Sequence, residues 1–383
     1  MRVLVLASWY PSEKKPLNGI FFKEQAEALK KYGLDIVVLN IELTSIMNII
    51  RKSPQIGLSI NNENNINVYR YKSYNFFPKL YSFYIKYYSH LIRKCIKKIE
   101  SKEGKIDIIH IHSAFDGGIA YSKSRVNIPY VITEHSSRYH RGIINSSENK
   151  LLYDAFSKAS KVIAVSKGLE EKIKCYCSNE ISPVIVPNLV KISENEIKLD
   201  LNKKKFRFFS LAFLNTYKGM DILINAFRIN KDLLDSVELF IGGDGPEKEN
   251  LIELIRENKL ENNIFLLGEL SREEVAVNMK NCNAFVLASR VETFGIVFIE
   301  AMSQGKPVIG TKTGGPDTFI NEQVGITVDI DDTEGLAKAI RDIYYNYTKY
   351  DSDYIKEYCL NTFSEEKISE QLYKIYNEVI GES

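Results

Sequence analysis

Ser289-Arg-Val-Glu-Thr-Phe-Gly-Ile-Val-Phe-Ile-Glu-Ala-Met-Ser-Gln-Gly-Lys-Pro307 follows a short apolar run, Ala284-Phe-Val-Leu-Ala288, and passes into a second, Gly305-Lys-Pro-Val-Ile309. A continuous apolar run of that length bounded by polar residues suits a strand buried on both faces of a parallel sheet. Gly295 permits a tight backbone turn, and Ile296 to Ser303 has helical spacing. The stretch therefore reads as strand, glycine turn, helix and strand, the unit of an α/β sheet. The first turn of such a helix offers unpaired N–H groups and a positive dipole end, a seat for a diphosphate. Glu292 stands just before the turn and Glu300 about two turns further on, roughly on the same face. Two solvated glutamates on a surface helix would give the same pattern.

A chain of 383 residues is too long for one ordinary core, so two domains are expected. With 44 % apolar and 26 % charged residues the composition is globular, not that of a disordered chain. The net charge of +2 hides an asymmetry: residues 1–190 hold 28 Lys and Arg against 16 Asp and Glu, and residues 191–383 hold 23 against 33. Opposite halves suggest different jobs. The five cysteines (Cys95, Cys175, Cys177, Cys282, Cys359) are odd in number and scattered, which disfavours a disulfide framework and favours a reducing cytoplasm. Cys175-Tyr-Cys177 lacks a second Cys or His pair at zinc spacing, so no metal centre is expected. There is no run of 18 apolar residues, and Met1 to Ala7 is followed at once by Ser8-Trp-Tyr-Pro11, so it reads as a first strand rather than a signal peptide.

Arg2 to Ala7 is that strand; a loop to Gly19 and a helix from about Ile20 to Lys31 follow, and Asp35 to Leu39 resumes the sheet. Gly19 at the helix entry would let backbone approach a ligand, although Asn18-Gly19 could equally be a plain turn. Residues 67–98 carry Arg70, Lys72, Lys79, Lys86, Arg93, Lys94, Lys97 and Lys98, no acid, and aromatics including Tyr74, Phe76, Phe77, Tyr81, Phe83, Tyr84, Tyr87 and Tyr88. Such a segment could dock on a bilayer and meet a lipid-linked acceptor. It could also be a helix with an aromatic core face and a solvated lysine rim. No recognised nucleic-acid module surrounds it, so nucleic acid is not an expected partner.

Ile106 to His112 and Pro129 to His135 read as strands ending in histidines, with a helix opening over Ser113 to Gly118. Ligands of open α/β sheets bind beyond the carboxyl ends of strands, so both imidazoles are expected at one crevice, unless they are structural. Lys161 to Ser166 and Val184 to Asn188 complete this half. Lys203 to Ala212 begins a second sheet, and the Asn215-Thr-Tyr-Lys-Gly219 loop leads to a helix, Met220 to Ile229. Lys218 is a point charge suited to a diphosphate, or a free surface lysine. Val237 to Pro246 is strand then glycine loop, but not a G-x-G-x-x-G fingerprint, so NAD is disfavoured.

The opening stretch resembles the E-x7-E signature of family 4 glycosyltransferases, and the likeness covers nearly the whole chain, through Asp-Ile-Ile-His-x-His, Thr-Glu-His, Val-Ser, Pro-Asn and Lys-Gly. The resemblance implies a GT-B fold, two Rossmann-like α/β doubly wound domains facing a cleft: an acceptor-side domain over 1–190 with a returning helix at 364–383, and a donor domain over 191–363. It implies that Glu300 holds the nucleotide ribose and that Glu292 lies by the donor sugar. Thr293, Phe294, Gly295 and Ile296 would line the sugar and phosphate pocket, Gly243 would lie beside the nucleotide, and Gly268, Glu269 and Leu270 would receive the base. Gly19 would approach donor phosphate, His135 would face donor sugar and acceptor, His112 and Asn18 would lie on the acceptor side, and Lys218 would meet the diphosphate. The expected activity is retaining transfer from a nucleotide-diphosphate sugar to a glycan or lipid-linked acceptor, without cofactor or metal, in surface polysaccharide or glycoconjugate assembly. The implied setting is cytoplasmic, with peripheral contact at the inner membrane face through 67–98. A nucleotide-sugar epimerase or glycan phosphorylase of the same fold, or a non-catalytic binding subunit, would share these features. One departure stands out: where many relatives have Gly-Arg-Leu, this chain has Ala212-Phe213-Leu214, leaving Arg290 or Lys306 as substitutes for the missing base.

Overall fold

In a computed structural model, which describes residues 1–12, 15, 17–45, 56–77, 80–191 and 204–381, the apolar runs become the central strands of two sheets. Glu13, Lys14, Pro16, Lys79 and Lys203 lie outside the described residues. The chain divides into two compact units, Met1–Leu189 with Glu365–Ser383, and Val190–Ser364.

The first unit contains β1 (Arg2–Ala7), α1 (Ile20–Lys31), β2 (Asp35–Ser45), β3 (Gly57–Glu63), β4 (Ile66–Asn75), α2 (Tyr81–Glu103), β5 (Ile108–His112), α3 (Ile119–Ser122), β6 (Tyr130–Glu134), α4 (Ser146–Ser157), β7 (Lys161–Ala164), α5 (Lys167–Tyr176) and β8 (Val184–Ile185). Their order is β3-β4-β2-β1-β5-β6-β7-β8, parallel throughout except for the β3–β4 pair. Parallel strands need crossover helices on the faces, which is why β1, β5 and β6 are buried along nearly their whole length. The 67–98 segment is two elements, an inner strand and a long helix. The helix expected to open over Ser113 to Gly118 begins only at Ile119, because Ser113 (φ 74°) and Asp116 (φ 56°) are left-handed and break the turn before it.

The second unit contains β9 (Phe206–Leu211), α6 (Met220–Ile229), β10 (Val237–Gly242), α7 (Lys248–Glu257), β11 (Ile264–Gly268), α8 (Arg272–Asn281), β12 (Ala284–Val286), α9 (Ile296–Ser303), β13 (Val308–Thr311), β14 (Gly325–Val328), α10 (Thr333–Tyr345) and α11 (Ser352–Phe363). Its order, β11-β10-β9-β12-β13-β14, is parallel throughout and reverses direction between β9 and β12. Open sheets of this kind place ligands at such a switch point, beyond the strands' carboxyl ends. A final helix, α12 (Glu365–Gly381), returns to the first unit, where Ile368, Leu372, Ile375, Tyr376 and Val379 join a core with Val3, Val5, Phe22 and Val38. Their spacing makes one apolar stripe, so burying it fixes the helix's rotation.

Candidate functional site

In the second unit, two loops leave adjacent strands side by side. After β9, the Asn215 side chain accepts from Tyr217 N, and Gly219 (φ 62°) starts α6 so close to the Ala288 carbonyl that a side chain could not fit. After β12, the backbone N–H groups of Arg290 and Val291 donate to Tyr217 O. This lacing brings Lys218 Nζ to 2.6 Å from Glu292 Oε2, with both side chains partly exposed. Gly295 (φ 91°) then begins α9 with no side chain capping its N–H groups, so the positive helix end stays available to an anion. Gly315 backs this loop: a Cβ there would sit 2.8 Å from Glu292 O and 2.9 Å from Phe294 N. Thr293 and Ile296 are half-buried. The Phe294 side chain is instead 2 % exposed, packed against Phe319 and Phe363, so only its backbone can meet a ligand.

Glu300, further along α9, does not share Glu292's partner. Arg272, the first residue of α8, donates from Nη1 to Glu300 Oε1 at 2.7 Å. Burial raises the Glu300 carboxyl above the ordinary range, and the adjacent guanidinium opposes that rise. Gly243 (φ 126°) packs on the Ala212 carbonyl and donates its N–H to Gly268 O at 2.7 Å, which ties the glycine loop after β10 to the end of β11. Gly268 (φ 76°) faces open space, Glu269 is exposed and Leu270 half-buried.

Neither expected substitute for the arginine fits. Arg290 is clamped by Asp221 in a two-pronged pair (2.9 and 2.8 Å) and by Asp331 (2.6 Å), so its guanidinium is already committed. Lys306 lies just before β13, at the opposite end of the strands from the Lys218 loop, because β9, β12 and β13 are parallel. Phe213 itself is 63 % exposed.

In the first unit, β5 and β6 set three imidazoles together. His112 Nδ1 lies 3.2 Å from His135 Nε2, and His110 stacks on His112 at 4.3 Å between centroids. His110 bridges Tyr376 Oη of α12 (2.6 Å) and Thr133 Oγ1 (2.7 Å). Phe21 and Phe22 of α1 cover His135 at 5.2 and 5.1 Å. Burial lowers His110 and His135 to about 3, and His112 well below its ordinary value, so all three are neutral near pH 7. His135 Nδ1 is buried with no hydrogen-bond partner among the described residues. The buried Glu134 carboxylate accepts from the N–H groups of Ala114 (2.9 Å), His135 and Ser136 (both 2.8 Å), which locks the chain exits of both strands. Gly19 (φ 73°) opens α1, where a Cβ would lie 2.7 Å from Trp9 O, and Asn18 is exposed beside it.

Sequence reading missed Arg272, Glu134, His110 and Tyr376. Glu134 did carry a signal: an acid at the end of an otherwise apolar strand. Arg272 and Tyr376 join through contacts 28 and 266 positions apart, for which spacing holds no sign, and His110 stood in the Asp-Ile-Ile-His-x-His pattern with no role assigned to it. Among the described residues, no group of three or more His, Cys, Asp or Glu side chains is arranged to hold a metal, and no helix is long and apolar enough to cross a membrane.

Residues 191–358 match the family described as Glycosyl transferases group 1, and residues 19–194 match Glycosyltransferase Family 4. An uncharacterized glycosyltransferase of Methanocaldococcus jannaschii is 32 % identical over 301 residues, 76 % of this chain and 81 % of that protein. A Bacillus subtilis protein whose name links it to teichuronic acid biosynthesis as a glycosyltransferase is 25 % identical, over 89 % of this chain and 88 % of that one. Among solved structures, sucrose-phosphate synthase from Thermosynechococcus elongatus superposes with a TM-score of 0.79 at 19 % identity, covering 100 % of both chains. Anabaena HepE, in complex with UDP and glucose, gives 0.74 at 19 % identity, covering 99 % of this chain and 100 % of that one.

Proposed function

The chain belongs to the group 1 glycosyltransferases of family 4 type, with the GT-B fold, and from that premise we propose that it moves a sugar from a nucleotide-diphosphate donor to a glycan or lipid-linked hydroxyl with retention of anomeric configuration. The observation that carries this reading is the Lys218–Glu292 pair beside the uncapped start of α9. As the bond between the anomeric carbon and the diphosphate breaks, negative charge grows on the leaving oxygen. Lys218 and the α9 N–H groups stabilise that charge in a part-buried setting. The acceptor oxygen bonds to the same carbon from the same face, and its proton passes to the departing diphosphate oxygen. Glu292 contacts the sugar hydroxyls, and Glu300 accepts from the ribose. Gly243, Gly268, Glu269 and Leu270 border the nucleotide. In the first unit, His135 meets the acceptor and sugar as a neutral hydrogen-bonding group, backed by His112, which at 1 % exposure cannot reach the acceptor itself; Asn18 lies on the acceptor side, and Gly19 lets backbone approach phosphate. No metal takes part in this scheme, so transfer persists in a chelator.

Anabaena HepE, of the same fold, is solved in complex with UDP and glucose, which supports a nucleotide-sugar donor here. We assign the acceptor side to a cytoplasmic membrane face, through α2. Phe76, in the turn after β4, and Leu80 and Phe83, at the start of α2, are 50 %, 55 % and 51 % exposed, and Lys86, Arg93, Lys94, Lys97 and Lys98 are exposed along the helix. Apolar anchors beside a basic stripe that carries no acid as far as Lys98 suit an anionic bilayer. The exposed Phe213 favours a second reading, a sugar-nucleotide-binding subunit without transfer activity. Proton NMR of the product with each donor separates the two. A retained anomeric configuration supports the proposal, whereas an inverted product or none refutes it.

A further inference from the structure

Glu300 presents its two carboxylate oxygens unequally. Ser271 caps α8 in a capping box with Glu274, which fixes the first helical turn and Arg272 within it. From there the guanidinium donates from Nη1 to Glu300 Oε1 at 2.7 Å, so one of the two carboxylate oxygens is held from the α8 side. The Glu300 side chain is 18 % exposed and that of Arg272 39 %. We propose that Arg272 is a positioning residue for the donor: it holds one oxygen of Glu300 in place and leaves the other to accept from the vicinal hydroxyls of a ribose. This rests on Glu300 as the ribose anchor. The guanidinium keeps its charge at every working pH and donates in fixed directions, where a lysine ammonium is a compact, freely turning point charge.

The alternative is an ordinary part-exposed ion pair, which contributes little to stability and nothing to recognition. The two differ in ligand discrimination and in pH response. Among the elements packed on α9, Arg272 of α8 supplies the charge that acts on Glu300; α11 presents the thiol of Cys359, bonded to Ile299 O. Removing Arg272 therefore raises the Glu300 carboxyl further, and protonation reaches it at higher pH.

The test is calorimetric binding of UDP and 2′,3′-dideoxy-UDP, or the matching GDP or ADP pair if that base binds, to the full chain and to R272Q, R272K, E300Q and R272Q/E300Q, with thermal unfolding as a control. R272Q is expected to weaken the ribonucleotide about tenfold and the dideoxynucleotide hardly at all, the size of a lost charge-assisted hydrogen bond. R272K recovers part of the loss, the acid-side fall in affinity moves to higher pH in R272Q, and the double variant is no weaker than E300Q. If R272Q keeps the discrimination, or weakens both ligands alike, while E300Q loses discrimination, Arg272 has no positioning role and the ribose reading stands. If E300Q discriminates as the unaltered chain does, or no nucleotide binds, the ribose reading fails and the inference with it.

Discussion

Lys218 and Glu292 stand 74 positions apart in the chain and 2.6 Å apart in the fold. Adjacent parallel strands, β9 and β12, put their exit loops side by side, and the Tyr217 carbonyl ties them by accepting from two amides of the second loop. The ammonium is thus placed before any diphosphate arrives. Replacing Lys218 by Met should lower kcat/KM at least about a hundredfold, the scale of losing one electrostatic contact to the leaving group. Both side chains are partly exposed, so the melting temperature should hardly move. Steady-state kinetics with parallel thermal unfolding checks both; unchanged kcat/KM removes Lys218 from the mechanism.

Gly219 controls the same loop from behind. Its φ of 62° and its contact with the Ala288 carbonyl leave no room for a Cβ. Gly219→Ala should destabilise the second unit by about 2–4 kcal/mol, combining left-handed strain with overpacking. Chemical denaturation followed by a probe in that unit reads the change, and an unaffected midpoint would show that the loop yields freely.

The three buried imidazoles predict acid sensitivity of a definite sign. Their folded values lie below the unfolded value near 6.5, so the folded state binds fewer protons. Stability from this source is complete above about pH 6.5 and is lost as pH falls towards about 3, at up to about 1.4 kcal/mol per pH unit per histidine. Denaturation midpoints measured from neutral to acid pH should fall over that window, and substituting His110 by Gln should flatten the fall. A stability flat over the window would mean that the imidazoles titrate normally.

Phe76, Leu80 and Phe83 predict vesicle binding. Replacing the three by Ser should reduce co-sedimentation with vesicles containing anionic lipid by about tenfold or more, since each buried large apolar side chain contributes about 1.5–3 kcal/mol. The substitutions should leave nucleotide affinity unchanged. Equal sedimentation of both proteins would contradict a bilayer contact at α2.

Much of the fold was legible because glycine turns announce the crossovers. The helices Ile20–Lys31, Met220–Ile229 and Ile296–Ser303 were expected at those bounds, each entered through a left-handed glycine. Strand length was harder to read: Asp35 to Leu39 extends to Ser45, because β4 pairs with its outer end, a partner no local pattern reveals. At the candidate site, the motif brought Lys218 and Glu292 to notice, but not their contact. Two side chains that hold others in place, Arg272 and Tyr376, were invisible because they act across elements, whereas Glu134 showed itself only as an acid ending an apolar strand. For Phe294 the motif says nothing about which way the ring points, and the ring fills the core, which leaves its backbone as the part that lines the turn.

Sugar transfer itself is read by offering the purified chain UDP-, GDP- and ADP-sugars, with and without anionic vesicles carrying a lipid-diphosphate glycan, and measuring release of nucleoside diphosphate. Release is expected from one donor class, dependent on acceptor, unaffected by chelator, and lost in Lys218→Met and His135→Ala. No release from any donor, or turnover independent of acceptor, would contradict it.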